Sequence, residues 1–294
     1  MSTVLLFFTK KGLSILNKKY GVIGYPIGHT MSPFIQKELF SLRGIIADYE
    51  KYEIEPKNLT AEFRQTLKNL NGFNITIPHK IGIMSCLDRI DASAAEYGAV
   101  NTVCRRDGVY IGYNTDAYGF LKGLEYSGII LGGKVLVYGV GGAARTIITE
   151  CLKAGCEVTV GTTTERIAKA ETVIKELAEK NKRPIKLIDR ESIDKEYDLL
   201  INATPVGMYP KTGVSPLPKQ QVKLFKSVYD IVYNPVDTEL LNIAKEEGKI
   251  CGGGLSMLVC QAQQAQTIWC GVEFTKQETA LVIEKTAKEM VGGF

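Results

Sequence analysis

Lys80 and Asp116 have the settings that point most directly to chemistry. Lys80 closes the run Gly72-Phe73-Asn74-Ile75-Thr76-Ile77-Pro78-His79-Lys80, and Asp116 closes Gly112-Tyr113-Asn114-Thr115-Asp116. Brought together, a lysine and an aspartate form a proton-handling pair: the ammonium donates to an oxygen gaining charge, and the carboxylate orients the ammonium. Further on, Gly139-Val140-Gly141-Gly142-Ala143-Ala144 follows the apolar run Lys134 to Tyr138 and precedes a helical pattern from Arg145 to Lys153. Glycines between a strand and a helix permit a tight turn and close approach of a pyrophosphate, which the free N–H groups of the helix attract. The combination predicts an enzyme that moves a hydride and a proton to or from a polyhydroxylated substrate.

The elements that position these residues read as alternating strands and helices, which predicts an α/β fold with mainly parallel sheets. Strands are expected at Tyr20 to Gly24, Tyr49 to Ile54 and Gly72 to Ile77, with a helix from Leu59 to Leu70. Ser32-Pro33 has the types favoured at an N-cap and first helical position, with apolar residues at 34, 35, 39, 40 and 42 behind it. After the glycine turn, strands follow at Glu157 to Val160, near 185–188 and 198–202, and at Ser227 to Ile231, with helices at Glu165 to Lys180 and Thr238 to Glu247. The tail reads as two helices, Met257 to Cys270 and one opened by a Thr275/Glu278 capping box. These elements predict a substrate domain over residues 1–115, a Rossmann-type dinucleotide domain over 116–254, and terminal helices over 255–294 that pack back on the first domain.

Composition narrows the class. The chain has 294 residues, 45% apolar and 23% charged, enough for two ordinary globular domains. The net charge of +4 is spread with both signs interspersed, so no nucleic-acid partner is expected. Val4 to Phe8 is apolar but only five residues long, too short to span a membrane. The seven cysteines form no C-x-x-C pair and the chain has two histidines, so no metal site is expected. Scattered thiols fit the cytoplasm.

The end of the second dinucleotide strand bears on the cofactor. An NAD site would carry an acid there for the ribose 2′-hydroxyl. Here the sequence runs Gly161-Thr162-Thr163-Thr164-Glu165-Arg166, and Arg166 could face a 2′-phosphate, so NADP is the expected cofactor, with NAD as the alternative.

The chain resembles the shikimate dehydrogenase family over nearly its whole length. Gly24 to Pro33 is similar to that family's substrate-carboxylate motif, Asn74 to Lys80 to its catalytic-lysine motif, and Gly98-Ala99-Val100-Asn101-Thr102 with Gly112 to Asp116 to its central pair. Gly139 to Arg145 resembles its nucleotide loop, and Asn202 to Met208 and Gly254 to Gln261 resemble its late motifs. The resemblance implies two α/β domains with the active site between them and a reversible, NADP-linked reduction of 3-dehydroshikimate to shikimate. It implies that Lys80 is the acid/base and Asp116 its partner, that Thr30 and Ser32 hold the carboxylate, and that Thr76, Asn101, Asp116 and Gln261 contact ring hydroxyls. Tyr233 resembles a tyrosine near both ligands. Gly139, Val140, Gly141, Gly142, Ala143 and Ile231 are implied at the cofactor, with Thr162, Thr163 and Thr164 at the positions that face its ribose and Gly254 at its nicotinamide end; Arg166 is not in register with the family's arginine there. His79 reads as structural.

Two departures from the family pattern stand out. Thr162-Thr163-Thr164 occupies the place of an Asn-Arg-Thr run, which removes an arginine clamp. Thr30-x-Ser32 replaces Ser-x-Ser, adding a methyl beside the carboxylate, where quinate carries an extra hydroxyl. The alternatives are therefore a quinate/shikimate dehydrogenase using NAD, or a catalytically weak ligand-binding relative. The expected partner is a small-molecule substrate, and the expected assembly a monomer or homodimer.

Overall fold

The computed structural model describes residues 18–28 and 30–292. The apolar run Val4 to Phe8 and His29 lie outside the described residues. The chain folds into two six-stranded sheets, each covered by helices.

The first half contains β1 (Lys18–Gly24), α1 (Ser32–Leu42), β2 (Ala47–Glu53), α2 (Leu59–Gln65), β3 (Gly72–Ile75), β4 (Arg89–Ile90), α3 (Ala92–Tyr97), β5 (Thr102–Arg106) and β6 (Val109–Tyr113). Its sheet has the order β2-β1-β3-β5-β6-β4. Most pairs are parallel, but β5 runs antiparallel to both β3 and β6. The β5–β6 hairpin turns at Asp107-Gly108, both at positive φ (50° and 83°), the backbone that a two-residue turn between twisted strands requires. One face of the sheet packs Phe63, Leu67, Phe73 and Ile83 into a core.

The second half contains α4 (Asp116–Tyr126), β7 (Lys134–Tyr138), α5 (Gly142–Lys153), β8 (Glu157–Thr162), α6 (Ile167–Asn181), β9 (Lys186–Asp189), β10 (Tyr197–Asn202), α7 (Lys219–Val222), β11 (Phe225–Asp230), α8 (Glu239–Glu246) and β12 (Ile250–Gly253). Its sheet, β12-β11-β10-β7-β8-β9, is parallel throughout. The order reverses between β7 and β10, so a crevice opens at their carboxyl ends, where doubly wound sheets bind ligands. Val135, Val137, Val160 and Ile201 face one core of this sheet, and Leu136, Tyr138, Leu200 and Val228 a second.

The chain then returns through α9 (Gly254–Cys270) and α10 (Lys276–Gly292). Leu255, Val259, Ala262 and Val282 pack with Ile35 and Leu39 of α1, covering the second face of the first sheet. Thr275 caps α10 as its sequence predicts: Glu278 accepts from the Thr275 N–H at 2.8 Å, and Thr275 Oγ1 accepts from the Glu278 N–H at 3.2 Å.

Several boundaries differ from expectation. The helix from Leu59 stops at Gln65, and Leu67–Asn69 is a separate 3-10 turn. The strand from Gly72 ends at Ile75, because Thr76 begins the turn that carries Lys80. Ser32 is not the N-cap of α1; Met31 occupies that position without a side-chain bond, which leaves the Ser32 hydroxyl free to face elsewhere.

Candidate active site

Lys80 and Asp116 come from different elements and meet. Lys80 lies on the turn after β3, and Asp116 is the first residue of α4, where the helix dipole favours its negative charge. Lys80 Nζ donates to Asp116 Oδ2 at 2.6 Å, with the aspartate side chain 9% exposed and the lysine 29%. An ammonium carries three protons. One of these protons goes to Asp116, and Lys80 lines the cavity, so its remaining donor capacity is available to a ligand there.

Asn101 fixes the other carboxylate oxygen. Its Nδ2 donates to Asp116 Oδ1 at 2.8 Å and to Gln261 Oε1 at 3.3 Å, while its Oδ1 accepts from the Thr115 N–H at 2.8 Å. A backbone N–H can only donate, so this last bond sets the amide's orientation and aims Nδ2 at the carboxylate. Asn114 Oδ1 in turn accepts from the Asp116 N–H at 2.9 Å. The run Asn114-Thr115-Asp116 therefore bonds to itself and to Asn101, and this holds Asp116 at the cavity.

The cavity has a volume of about 210 Å³. Its polar lining comprises Lys80, Asp116, Asn101, Thr76 and Gln261 together with Thr30, Ser32, Gln36 and Asn74. Ala143, Ile231, Tyr233 and Gly254 border it from the dinucleotide half, and Ile35, Met257 and Leu258 supply apolar wall. Thr30 Oγ1 donates to Ser32 Oγ at 3.1 Å, so the two hydroxyls are adjacent beside the N-terminus of α1. Hydroxyls at a helix N-terminus suit a carboxylate. Burial pushes the Tyr233 phenol up, keeping it neutral. Cys260, beside Gln261, is pushed up to about 12 by burial and is an unreactive thiol.

Lys80 and Asp116 also border a wider cleft of about 710 Å³ between the turn at 77–81 and α5. Contacts between the two halves cross here. Tyr97 Oη donates to Glu150 Oε1 at 2.5 Å, and Lys153 pairs with Glu96 at 3.1 Å.

The turn between β7 and α5 fits a dinucleotide. Gly139 has φ +114°, and a Cβ there would lie 2.8 Å from a Thr204 methyl. Gly141 is the N-cap of α5 with no side-chain bond, and a Cβ on Gly141 or Gly142 would meet nothing within 4 Å. The first N–H groups of α5 have no partner within the helix, and the absent side chains leave room beside them for a pyrophosphate. Gly254 has a different reason to be glycine: a Cβ would lie 2.0 Å from the Ile231 carbonyl oxygen, so α9 starts in backbone contact with the end of β11. Beneath this contact Asp230, fully buried, accepts from Asn202 Nδ2 (2.9 Å), the Val232 N–H (3.0 Å) and Thr238 Oγ1 (2.7 Å).

Residues 22–103 match the family model of the shikimate dehydrogenase substrate binding domain. A shikimate dehydrogenase (NADP+) of Geobacillus kaustophilus is 37% identical over 259 residues, covering 87% of this chain and 94% of the relative. The chain belongs to the shikimate dehydrogenase family. Among solved structures, a shikimate dehydrogenase in complex with NADP+ superposes with a TM-score of 0.84 at 36% identity, covering 92% of this chain and 96% of the other. The Listeria monocytogenes shikimate 5-dehydrogenase in complex with shikimate and NAD gives 0.81 at 30%, covering 94% and 99%.

Within this family's two-domain frame, Thr30, Ser32, Thr76, Lys80, Asn101, Asp116, Tyr233 and Gln261 all line one cavity, joined by Ala143, Ile231 and Gly254. Gly139, Val140, Gly141 and Gly142 lie outside it, at the β7–α5 turn. Thr162, Thr163, Thr164 and Arg166 are not brought to it either; Thr162 is the buried last residue of β8 and the other three follow it. Thr164 Oγ1 donates to Asp189 Oδ2 at 2.6 Å, so that hydroxyl already has an acidic partner. Arg166 remains the cation of that segment. His79 is 2% exposed, with Nε2 2.7 Å from the Ile54 carbonyl oxygen, a structural setting. Sequence reasoning did not name Gln36, Asn74 or Thr115 individually as site residues. The signal available for Asn74 and Thr115 was their place inside the Lys80 and Asp116 motifs, whereas Gln36 reads as an ordinary helix position.

Proposed function

We propose that this chain catalyses the reversible NADPH-dependent reduction of 3-dehydroshikimate to shikimate. The observation that carries this reading is the 2.6 Å Lys80–Asp116 pair on the wall of a cavity that also holds the Thr30/Ser32 hydroxyl pair. The two features match a substrate with a carboxylate at one end and, at the other, a carbonyl with a hydroxyl on one adjacent carbon.

Thr30 and Ser32 bind the carboxylate, aided by the N-terminus of α1. Thr76, Asn101 and Gln261 orient the ring hydroxyls. When bound, the nicotinamide supplies the hydride that adds to the C3 carbonyl carbon. Lys80 stabilises the negative charge growing on the carbonyl oxygen and gives that oxygen a proton. Asp116 holds the ammonium at that oxygen and accepts from the neighbouring hydroxyl. In the oxidation direction Lys80 takes the proton back. Ile35, Met257 and Leu258 exclude water along the apolar wall. Gly139 to Ala143 would hold the pyrophosphate, Arg166 the 2′-phosphate, and Ile231, Tyr233 and Gly254 the nicotinamide end. Residues 1–115 with 255–294 form the substrate domain and 116–254 the dinucleotide domain. Among the described residues no helix is long and apolar enough to cross a membrane. We place the enzyme in the cytoplasm, acting as a monomer or homodimer without a nucleic-acid partner.

Steady-state rates with shikimate and quinate, each with NADP+ and NAD+, test the proposal. The highest kcat/KM is expected for shikimate with NADP+. Faster NAD+-dependent quinate oxidation would overturn it in favour of a quinate/shikimate dehydrogenase.

A further inference from the structure

Lys80 and the start of α5 both line the wider cleft between the two halves. The chain passes from one half to the other at 114–116 and again at 253–254. Halves joined by short stretches of chain can swing unless a further contact holds them. The bonds between α3 and α5 are such a contact.

Glu150 is at its centre. It is 6% exposed, on a helix whose neighbouring Ile147 and Cys151 belong to the core. A glutamate is rarely that buried without a partner. Glu150 Oε1 accepts from Tyr97 Oη at 2.5 Å, and Lys153 Nζ lies 2.9 Å from the same oxygen. Lys153 also pairs with Glu96 at 3.1 Å, and Lys180 Nζ donates to the Glu96 carbonyl oxygen. Burial, helped by the Glu150 carboxylate, pushes the Tyr97 phenol up, so it remains a donor.

Both ends of this contact lead to the site. Tyr97 is the last residue of α3, and Gly98, at φ +62°, ends the helix. Two residues further, the Val100 N–H donates to the Lys80 carbonyl oxygen at 2.8 Å. The end of α3 and the turn that carries Lys80 are therefore tied together. On the other side, α5 is one continuous helix from Gly142 through Glu150, a rise of about 12 Å. Its second residue, Ala143, borders both the substrate cavity and the wider cleft.

We propose that Tyr97 and Glu150 are positioning residues for hydride transfer, setting the cleft angle at which the substrate held by one half meets the nicotinamide held by the other. The inference rests on the functional reading above. Each ligand is held chiefly by one half, so the bond does not enter either ligand's own affinity. It acts on the fraction of ternary complexes in which donor and acceptor are within reach.

The test is Tyr97→Phe, which keeps the ring and removes the donor. Enzyme saturated with NADP+ is mixed with less than one equivalent of shikimate, and NADPH absorbance follows a single turnover, ahead of product release. The rate is expected to fall about tenfold, the shift that one hydrogen bond to a charged group makes in the balance between closed and open clefts. Dissociation constants for NADP+ and for shikimate, each measured alone by calorimetry, should match those of the original protein. Glu150→Leu should slow the step about as much, and the two substitutions together no further, since both remove one bond. Glu150→Gln, which leaves the phenol an acceptor, should keep more of the rate than Glu150→Leu. An unchanged single-turnover rate with only a lower unfolding midpoint would make the contact merely structural and overturn the proposal. Additive losses, or weaker binding of either ligand alone, would overturn it as well. Should Tyr97→Phe fold poorly, Lys153→Met takes its place and must slow the step with both dissociation constants kept. Failure of the unmodified enzyme to oxidise shikimate would instead overturn the functional reading.

Discussion

Asp230 sets two effects against each other, and their difference is measurable. Its carboxylate accepts three hydrogen bonds, which favour the ion, but it is completely buried between β10 and the loop before α8, which favours the acid. Burial wins, raising the group from 3.8 to about 6. A carboxyl whose folded pKa exceeds its unfolded one contributes most when protonated. Its contribution is therefore full below about pH 4, falls as pH rises towards 6, and is constant above that. The shift of about two units corresponds to roughly 3 kcal/mol. Asp230→Asn keeps Oδ1 for Asn202 and Val232 and turns an amide towards Thr238, so it removes the titration while largely keeping the shape. Urea unfolding at intervals from pH 4 to 8, followed by circular dichroism, gives the stability of both proteins. The variant should gain on the original by about 3 kcal/mol between pH 4 and 7, on top of any pH-independent offset. Other carboxylates titrate in both proteins and cancel in the difference. A flat difference would show that the three donors cancel burial, and one that runs the other way that they outweigh it.

Further outcomes follow from the site. Gly254→Ala forces a Cβ against the Ile231 carbonyl oxygen, 2.0 Å away, so thermal unfolding should show a loss of at least about 1–3 kcal/mol and assays a higher KM for NADP+. An unaffected melting temperature would mean that the start of α9 can move. Arg166→Ala should weaken NADP+ about tenfold and leave NAD+ nearly unchanged in titration calorimetry, as removal of one charged donor to a phosphate predicts. Equal losses for both cofactors would assign Arg166 a structural role. Asp189→Asn frees Thr164 from a carboxylate beside the proposed ribose site, and should tighten NADP+ more than NAD+ in the same experiment.

Local motifs were legible because they carry their physics in a few adjacent residues. The glycine turn between β7 and α5, the capping box of α10 and the Lys80 and Asp116 runs all belong to this class. The Asp107-Gly108 turn also belongs to it: its residue types favour positive φ, yet without the hairpin named the antiparallel course of β5 went unread. The four-residue strand β12 ends in two glycines and shows no alternation to detect. Ser32 has the residue type of an N-cap, but its hydroxyl instead accepts from Thr30 Oγ1, a partner placed there only by the folded turn. Tyr49 shows the limit most clearly. In sequence it is one apolar position of an alternating strand, and its neighbours Asn74 and Trp269 lie 25 and 220 residues away along the chain. The partner of Thr164 was hidden for the same reason, since Asp189 reaches it only through the β8–β9 pairing.

The central claim is that Lys80, held by Asp116, moves the proton at the carbonyl oxygen. Its most direct test is the steady-state oxidation of shikimate with NADP+ by Lys80→Ala. The account predicts a fall in kcat of about 10²- to 10⁴-fold with KM for shikimate little changed, since the carboxylate and hydroxyl contacts remain. A variant that keeps its kcat, or that loses activity only through a higher KM, would contradict it.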